Sequence, residues 1–520
     1  MTEAAGSGLA GPARGNRRAR YRVDIAIAVC AGIATVLVHP VSQMLSRPYW
    51  VDEAWVADLT RASWSRMVAV GSPTPVGFIA LAKLVPGSGQ QHARLLTLGF
   101  SVLGVVVAYV LARGLAWESR LVGRLAGAAT AFAVMMAPLS LVRNDLKQYT
   151  CDAFCALAIF AIGVITDRHD HVSLWWLVGA SAIAVIFSST SAFVSAAMFA
   201  GLLAAAVLQR TGRRVRDVLV AGGVAAAILA GYLLLVVQPK LSSGLKAYWA
   251  ADYLHGSPLH VLSVSWTRLD DLAPHIAMPA VVFVALFLAG VYELVRLRAS
   301  AVAVAVPLLW IEMMIVAVLQ KYPFLQLRTS QFLLVSSLAV VAIGAVGLVR
   351  AAGARVHIAG AVALALIFGA LFTAGSVKYV HRLGIAPEDV RSQTEYVAEH
   401  RRSRDVILVN DSANFGFSYY WPHGHVVLHR DSSGAGFRAS VAGVDAVFAR
   451  DRTDAAVRDA LREALDRWRS RGAGARLFIV RTHLHPVEVT AWKRAFTALG
   501  VKPVRVRVGG EPLLVLEPGP

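Results

Sequence analysis

Apolar runs separated by short polar segments fill most of the first 376 residues, after which the pattern changes to short alternating stretches. The runs lie at about 24–45, 92–113, 121–141, 149–166, 173–188, 191–208, 217–237, 277–295, 301–320, 330–349 and 356–376. Most have the length that carries an α-helix across the hydrocarbon core of a bilayer, roughly 17–25 residues. Hydropathy therefore predicts about eleven spanning helices. The pair 173–188 and 191–208 is the least well marked, because both runs are short and join through a polar Ser188-Ser189-Thr190.

Charges between the runs set a direction. Residues 1–22 are rich in Gly and Ala and then basic (Arg14, Arg17, Arg18, Arg20, Arg22), and read as a disordered cytoplasmic tail. No small-residue cleavage pattern follows His39-Pro40, so the first run reads as an uncleaved signal-anchor helix. With the N-terminus inside, the inner loops hold Arg113, Arg120 and Arg124, then Arg168, then Arg210, Arg213, Arg214 and Arg216, then Arg296 and Arg298, then Arg350 and Arg355. That is a positive-inside pattern. An odd number of spans leaves the remainder outside the cytoplasm. The expected organisation is a tail, 1–22, a transmembrane domain, 23–376, with its first outer loop at 46–91, and an extracytoplasmic domain, 377–520.

Within that last part, Asp405–Val409 and Leu477–Val480 read as buried parallel strands. Residues 453–470 form a charged amphipathic helix, Pro486 starts another that ends at Gly500, and strands follow near 503–508 and 512–516. One sheet with helices packed on it follows. The expected fold class is a polytopic α-helical membrane protein with a C-terminal extracytoplasmic α/β domain.

Composition narrows the function. Only 16% of the residues are charged and 57% are hydrophobic, against about a quarter charged in soluble domains. That excludes disorder for most of the chain and argues against a soluble enzyme. The formal charge of +19 would suggest nucleic acid in a soluble protein. Here the basic residues sit between spans, and no nucleic-acid partner is expected. Cys30, Cys151 and Cys155 all lie in apolar runs, so the polar C-terminal part has no disulfide or Cys-based zinc site. There is no Walker loop and no Gly-rich dinucleotide fingerprint, so no nucleotide cofactor is expected. Richness in Ala, Arg, Val and Gly suits a GC-rich bacterial genome, and with it a multi-pass protein of the inner or plasma membrane.

Three outer loops carry the candidate chemistry. The first has Asp52-Glu53 between Trp50 and Trp55, and then Trp55, Val56, Leu59, Ala62 and Met67 at helical spacing. That predicts an amphipathic helix over 52–70 lying on the membrane surface. A half-desolvated carboxylate there suits a general base. From spacing alone, Asp52 as a helix cap and Glu53 as a favourable first-turn charge is the simpler account. The second loop crowds Arg143, Asp145, Lys147, Gln148 and Tyr149 into one turn, with Asp152 just inside the next helix. Arg and Lys at an interface suit a lipid phosphate. Snorkelling explains the two cations separately, but explains Asp145 and Asp152 poorly. The third offers Lys321, Tyr322 and Arg328. Near the C-terminus, His423, His425, His429 and Arg481-Thr-His-Leu-His485 match no standard zinc spacing and read as strand-end and surface residues.

In this order the motifs resemble those of the GT-C glycosyltransferases, more narrowly the branch with protein O-mannosyltransferases and lipid A aminoarabinose transferases. The resemblance rests on Asp52-Glu53 with Pro73 and Pro75 after it, on Leu146-Lys-Gln-Tyr149 followed by Asp152, and on Tyr322-Pro-Phe before Arg328. Asp405-Val-Ile-Leu-Val, Tyr419-Tyr420, the Leu477–Val480 strand and His483 extend it into the tail. Between about 170 and 320 it holds only as hydropathy. The resemblance implies a hexosyl- or pentosyltransferase that takes a sugar from a polyprenyl-phosphate donor, with inversion, to an unidentified extracytoplasmic acceptor hydroxyl. Asp52 would take the acceptor proton, and Glu53 would position the acceptor or help bind a metal. Arg143, Lys147, Tyr149 and Arg328 would hold the carrier phosphate, supported by Asp145, Gln148, Asp152 and Tyr322. Family members differ on metal dependence. A divalent cation on Asp145 and Glu53 is conceivable, and no metal site is assigned.

Two other readings use the same cations. One is a transporter or flippase for a lipid-linked sugar, the other an inactive GT-C scaffold. Many transporters carry paired broken helices in two repeats, a pattern this sequence does not display. Charge deep in the spans is sparse, with Glu312 the main case, and Asp52-Glu53 is intact.

Overall fold

A computed structural model describes residues 14–352 and 388–517, apart from 40, 71–72, 88–90, 142–144, 170–171, 241–245, 247, 277 and 432–435, together with 360, 363, 366, 367, 369 and 370. The chain opens with α1 (Arg14–Val38), followed by the short helices α2 (Val41–Ser46), α3 (Val51–Arg61), α4 (Trp64–Ala69) and α5 (Val76–Leu84). Then come α6 (Arg94–Arg113), α7 (Arg120–Leu141), α8 (Tyr149–Arg168), α9 (Trp175–Phe187), α10 (Ser191–Leu208) and α11 (Gly212–Tyr232). The bundle continues with α12 (Pro258–Asp271), α13 (Ala273–Ile276), α14 (Ala280–Arg296), α15 (Ser300–Val318) and α16 (Gln331–Ala351).

Among the described residues, seven helices are long and apolar enough to cross a membrane: α6, α7, α8, α10, α11 with its continuation to Lys240, α15 and α16. Sequence predicts about eleven. The runs at 173–188 and 277–295 become α9 and α14, with 13 and 17 residues. At 1.5 Å per residue both fall short of a hydrocarbon core of about 30 Å. The run at 24–45 is divided between α1 and α2, and 356–376 lies almost wholly outside the described residues. Arg14–Arg22, expected within a disordered tail, form the first turns of α1. Ala and Arg favour helix, and the apolar run continues it. Residues 1–13 of that tail lie outside the described residues.

Helix α16 is the centre of the bundle, buried at every position from Gln331 to Gly347. Large apolar side chains such as Leu103, Val110, Leu121, Leu234, Leu235, Val281 and Ile315 are exposed, as lipid-facing positions require. Close helix contacts use small residues, because lipid gives no hydrophobic drive between helices. Gly201 of α10 leaves no room for a Cβ against Ala301 of α15, and Gly290 of α14 and Gly344 of α16 leave none against each other's helix. The two ends of the bundle differ. At one, Asp24 pairs with Arg113 and Arg124, and Glu118 with Arg296 and Arg350. These arginines belong to the loops read as inner. The opposite ends of the same helices carry Arg94 and Arg328.

After residue 388 the chain forms a five-stranded sheet in the order β4-β1-β5-β7-β6, from β1 (Val406–Val409), β4 (Ala446–Phe448), β5 (Leu477–Val480), β6 (Val504–Val506) and β7 (Leu513–Leu516). β1 runs parallel to β4 and β5, while β7 is antiparallel to β5 and β6. The parallel β1–β5 pair is the one expected from its two apolar runs. A separate hairpin, β2 (Val426–Asp431) with β3 (Gly436–Val441), was not foreseen in the sequence. The helices here are α17 (Val390–His400), α18 (Ala413–Tyr420), α19 (Asp454–Ser470) and α20 (Pro486–Ala498). Val406, Leu408, Leu477 and Ile479 pack with Leu461, Leu465 and Trp492 of α19 and α20. Ile407, Val409, Phe478 and Val480 join the core that continues into the helical bundle. Strands buried on both faces read as unbroken apolar runs.

One expectation fails at α3. It does not continue to residue 70 along a membrane surface. It ends at Arg61, and α4 restarts after Ser63, whose Oγ accepts the Arg66 N–H at 3.3 Å. Every residue of α3 from Glu53 to Leu59 is buried. Its outer face is covered by α18, with Trp55 stacked near Phe415 (6.1 Å) and Tyr49 near Tyr419 (5.3 Å). Arg61 lies over the Tyr419 ring and donates to its carbonyl, and Arg66 donates to the Leu428 carbonyl in β2.

Candidate active site

The start of α3 is built by Glu53 rather than Asp52. Trp50 is the residue before the first helical turn, and its N–H points at the Glu53 carboxylate (3.5 Å). That carboxylate is fully buried, receives Arg94 Nε at 2.6 Å and Nη2 at 2.5 Å, and accepts the Leu146 N–H at 2.7 Å. Arg94, equally buried, also donates to the carbonyls of Met44, Arg47 and Pro48. Arg47 in turn reaches Asp145 at 2.7 Å. One hydrogen-bonded cluster thus clamps the 44–53 segment, the start of α6 and the 145–147 turn together. A buried pair with its lone pairs satisfied is stable in place, and losing either member strands the other.

This frame turns Asp52 away from the buried cluster, leaving its side chain partly exposed. Its carboxylate meets Arg328 Nη1 at 2.9 Å, with both side chains partly exposed. The Arg328 guanidinium lies 4.7 Å from the centroid of the Trp50 ring. Lys147 is almost fully buried, its Nζ 4.2 Å from the Trp55 ring centroid. Burial pushes the Lys147 ammonium down to about 8, although Asp52, Glu53 and Asp145 pull it up. Tyr149, at the first turn of α8, stands within electrostatic reach of Asp52 and Arg328. The exposed ring of Tyr248 is in reach of the same two groups. A loop held by Arg268, which donates to the carbonyls of Asp252 and Phe324, fixes the approach of 250–253 to the segment before Arg328.

Of the residues expected from sequence, Asp52, Lys147, Tyr149 and Arg328 converge here. Arg143 lies outside the described residues. Gln148 precedes the first turn of α8. Asp152 lies a turn deeper in α8, buried near the Ser188 and Thr190 hydroxyls between α9 and α10. Tyr322 donates to the Thr329 carbonyl at 2.9 Å and braces the turn that presents Arg328. Glu53 and Asp145 are each engaged by an arginine, so a divalent cation does not fit that pair of donors. Arg94 and Glu388 escaped the sequence reading, whereas Trp50 figured there as a neighbour of Asp52-Glu53 and His483 as part of the motif that extends the resemblance into the tail.

The C-terminal part packs against the start of α3 beside Asp52. Glu388 accepts the Val51 N–H at 3.2 Å and pairs with Nδ1 of His483. The His483 ring lies 6.4 Å from that of Trp50. Glu388 raises the His483 imidazole above its ordinary value, against the effect of burial. His483 itself has a left-handed backbone (φ 51°), uncommon for a residue with a side chain.

No protein-family profile matches the sequence, and no curated protein does. Solved structures do. ArnT from Cupriavidus metallidurans bound to undecaprenyl phosphate superposes with a TM-score of 0.54 at 13% identity, over 94% of this chain and 97% of that one. Its apo state gives 0.51 at 12% identity, over 96% and 98%. The archaeal oligosaccharyltransferase AglB from Archaeoglobus fulgidus, in complex with an inhibitory peptide and a dolichol-phosphate, gives 0.53 at 12% identity, over 88% and 69%. With its apolar helix bundle, buried α3 and C-terminal sheet, this chain has the fold of the GT-C membrane glycosyltransferases.

Proposed function

We propose that the chain is a membrane glycosyltransferase that moves a sugar from a polyprenyl-phosphate carrier to an acceptor hydroxyl, with inversion. The observation that carries this reading is the Asp52–Arg328 pair at 2.9 Å, opening beside the buried Lys147. It sets a carboxylate against two cations at one end of the bundle. Two neighbours of this fold were solved with polyprenyl phosphates, which supports a carrier of that chemistry.

In this reading Asp52 takes the proton of the acceptor hydroxyl as its oxygen attacks the anomeric carbon. The bond from that carbon to the phosphate oxygen breaks, and its electron pair leaves with the polyprenyl phosphate. Arg328 and Lys147 stabilise the charge gained by the leaving phosphate, an electrostatic role, and Tyr149 lines the same phosphate position. Arg328 thereby exchanges Asp52 for the phosphate as the donor binds. Glu53, with both oxygens engaged, serves the frame rather than the acceptor. The reading places the N-terminus in the cytoplasm, the sheet outside it, and the chain in the inner or plasma membrane.

The test uses the full chain in lipid nanodiscs with a panel of polyprenyl-phosphate hexoses and pentoses and an envelope extract. Mass spectrometry follows loss of each lipid-linked sugar. Consumption of one donor is the expected result. A donor that binds and is never consumed would point instead to a transporter or a scaffold.

A further inference from the structure

Glu388 and His483 form a pair that the phosphate and acceptor roles above leave unused. Both come from the C-terminal part, yet both reach the start of α3. One Glu388 oxygen accepts the N–H of Val51, the residue before Asp52, and the other meets Nδ1 of His483. The His483 ring faces Trp50, which also carries the guanidinium paired to Asp52. Among the described residues, Nε2 of His483 has no hydrogen-bond partner, and the side chain is 32% exposed. A carboxylate on Nδ1 fixes the tautomer and leaves Nε2 as the proton acceptor. This is the logic of a base oriented by a third group.

We propose that His483 is the second proton acceptor of the transfer site: its Nε2 receives the proton that Asp52 has taken from the acceptor hydroxyl, and releases it to solvent. The proposal rests on the glycosyl-transfer reading and adds a step to it. The acceptor O–H bond breaks with its proton going to Asp52. The new glycosidic bond forms as the phosphate leaves with its electron pair. The Asp52 O–H bond then breaks and an N–H bond forms at Nε2, which returns Asp52 to its ionised form. Glu388 on Nδ1 raises the imidazole, which favours its taking the proton.

The charged groups facing His483 are Glu388 before α17, Asp52 in α3, Arg452 before α19 and Glu511 before β7. Glu388, first among them, raises the imidazole, and Arg452 opposes it. His483 can accept a proton only when neutral. Activity therefore falls as the pH drops through its titration, an acid limb that belongs to His483.

The test measures kcat against pH for the full-length wild type, His483→Gln and Glu388→Gln in nanodiscs, with the donor the wild type consumes. For His483→Gln the expected result is loss of kcat by about 10²-fold and disappearance of the acid limb, with polyprenyl-phosphate affinity kept. For Glu388→Gln, removing the charge that raises the imidazole moves the acid limb to lower pH. A His483→Gln variant with the wild-type limb, whether or not its rate falls, would overturn the relay and leave a structural role. No donor consumption by the wild type would remove the transfer reading itself, and the relay with it.

Discussion

Arg328 reaches across 276 positions of sequence to pair with Asp52 at 2.9 Å, under the ring of Trp50. The pair brings a cation from the turn before α16 to a carboxylate in the first turn of α3. In the phosphate site proposed above, such a pair keeps both charges compensated until the anion displaces one partner.

Replacing Arg328 should therefore harm catalysis more than folding. Arg328→Ala is expected to lower kcat/KM by about 10²–10³-fold, the scale of one lost electrostatic contact in a transition state. Arg328→Lys should recover only part, because an ammonium lacks the planar fork. Turnover beside a thermal melt of each variant checks this. A large fall in melting temperature with normal turnover per folded molecule would contradict it.

The Glu53–Arg94 pair predicts the opposite balance. Glu53→Gln or Arg94→Ala leaves an uncompensated buried charge, which costs about 3–5 kcal/mol. The expected outcome is poor yield and a lowered melting temperature in detergent. Any surviving protein should still bind polyprenyl phosphate, since the cations proposed to hold the phosphate, Arg328 and Lys147, lie outside this pair.

Lys147 sets a basic limit. Burial brings its ammonium down to about 8. The cation is present below that pH and lost above it, so kcat/KM should fall as pH rises through about 8. Lys147→Arg keeps its charge throughout and should remove that limb. A basic limb unchanged in Lys147→Arg would show that another group sets it.

Arg61 and Arg66 test how the sheet region is held. Arg61 stacks on Tyr419 and donates to its carbonyl, and Arg66 donates to the Leu428 carbonyl. Each contact is worth roughly 1–2 kcal/mol. The double variant Arg61→Ala, Arg66→Ala should expose β2 and α18 to limited proteolysis sooner than wild type, while the helical bundle stays protected.

The parts legible in sequence were those with a local period or a continuous run. β1 and β5 showed as VILV and LFIV because both faces are buried, and α19 showed through its charged, amphipathic spacing. The β2–β3 hairpin did not, since VVLHRD alternates weakly and leaves much of itself exposed. Asp52, Lys147 and Arg328 stood out through the order of their motifs, not through any one of them. The engagement of Glu53 was not legible because its partner Arg94 lies 41 positions away, and nothing local marks a helix-start arginine as buried. α3 was misread as a surface helix for a related reason. Its covering layer comes from α18, some 370 residues later, and a helix's own sequence does not show what will be laid over it.

The most direct test of the account is single-turnover donor consumption by Asp52→Asn beside wild type, each loaded with the polyprenyl-phosphate sugar that the wild type uses. Asn keeps the shape and can still face Arg328, but it cannot take a proton. The account predicts that the variant binds the donor and transfers the sugar at least about 10²-fold more slowly. Transfer by Asp52→Asn at the wild-type rate would contradict it.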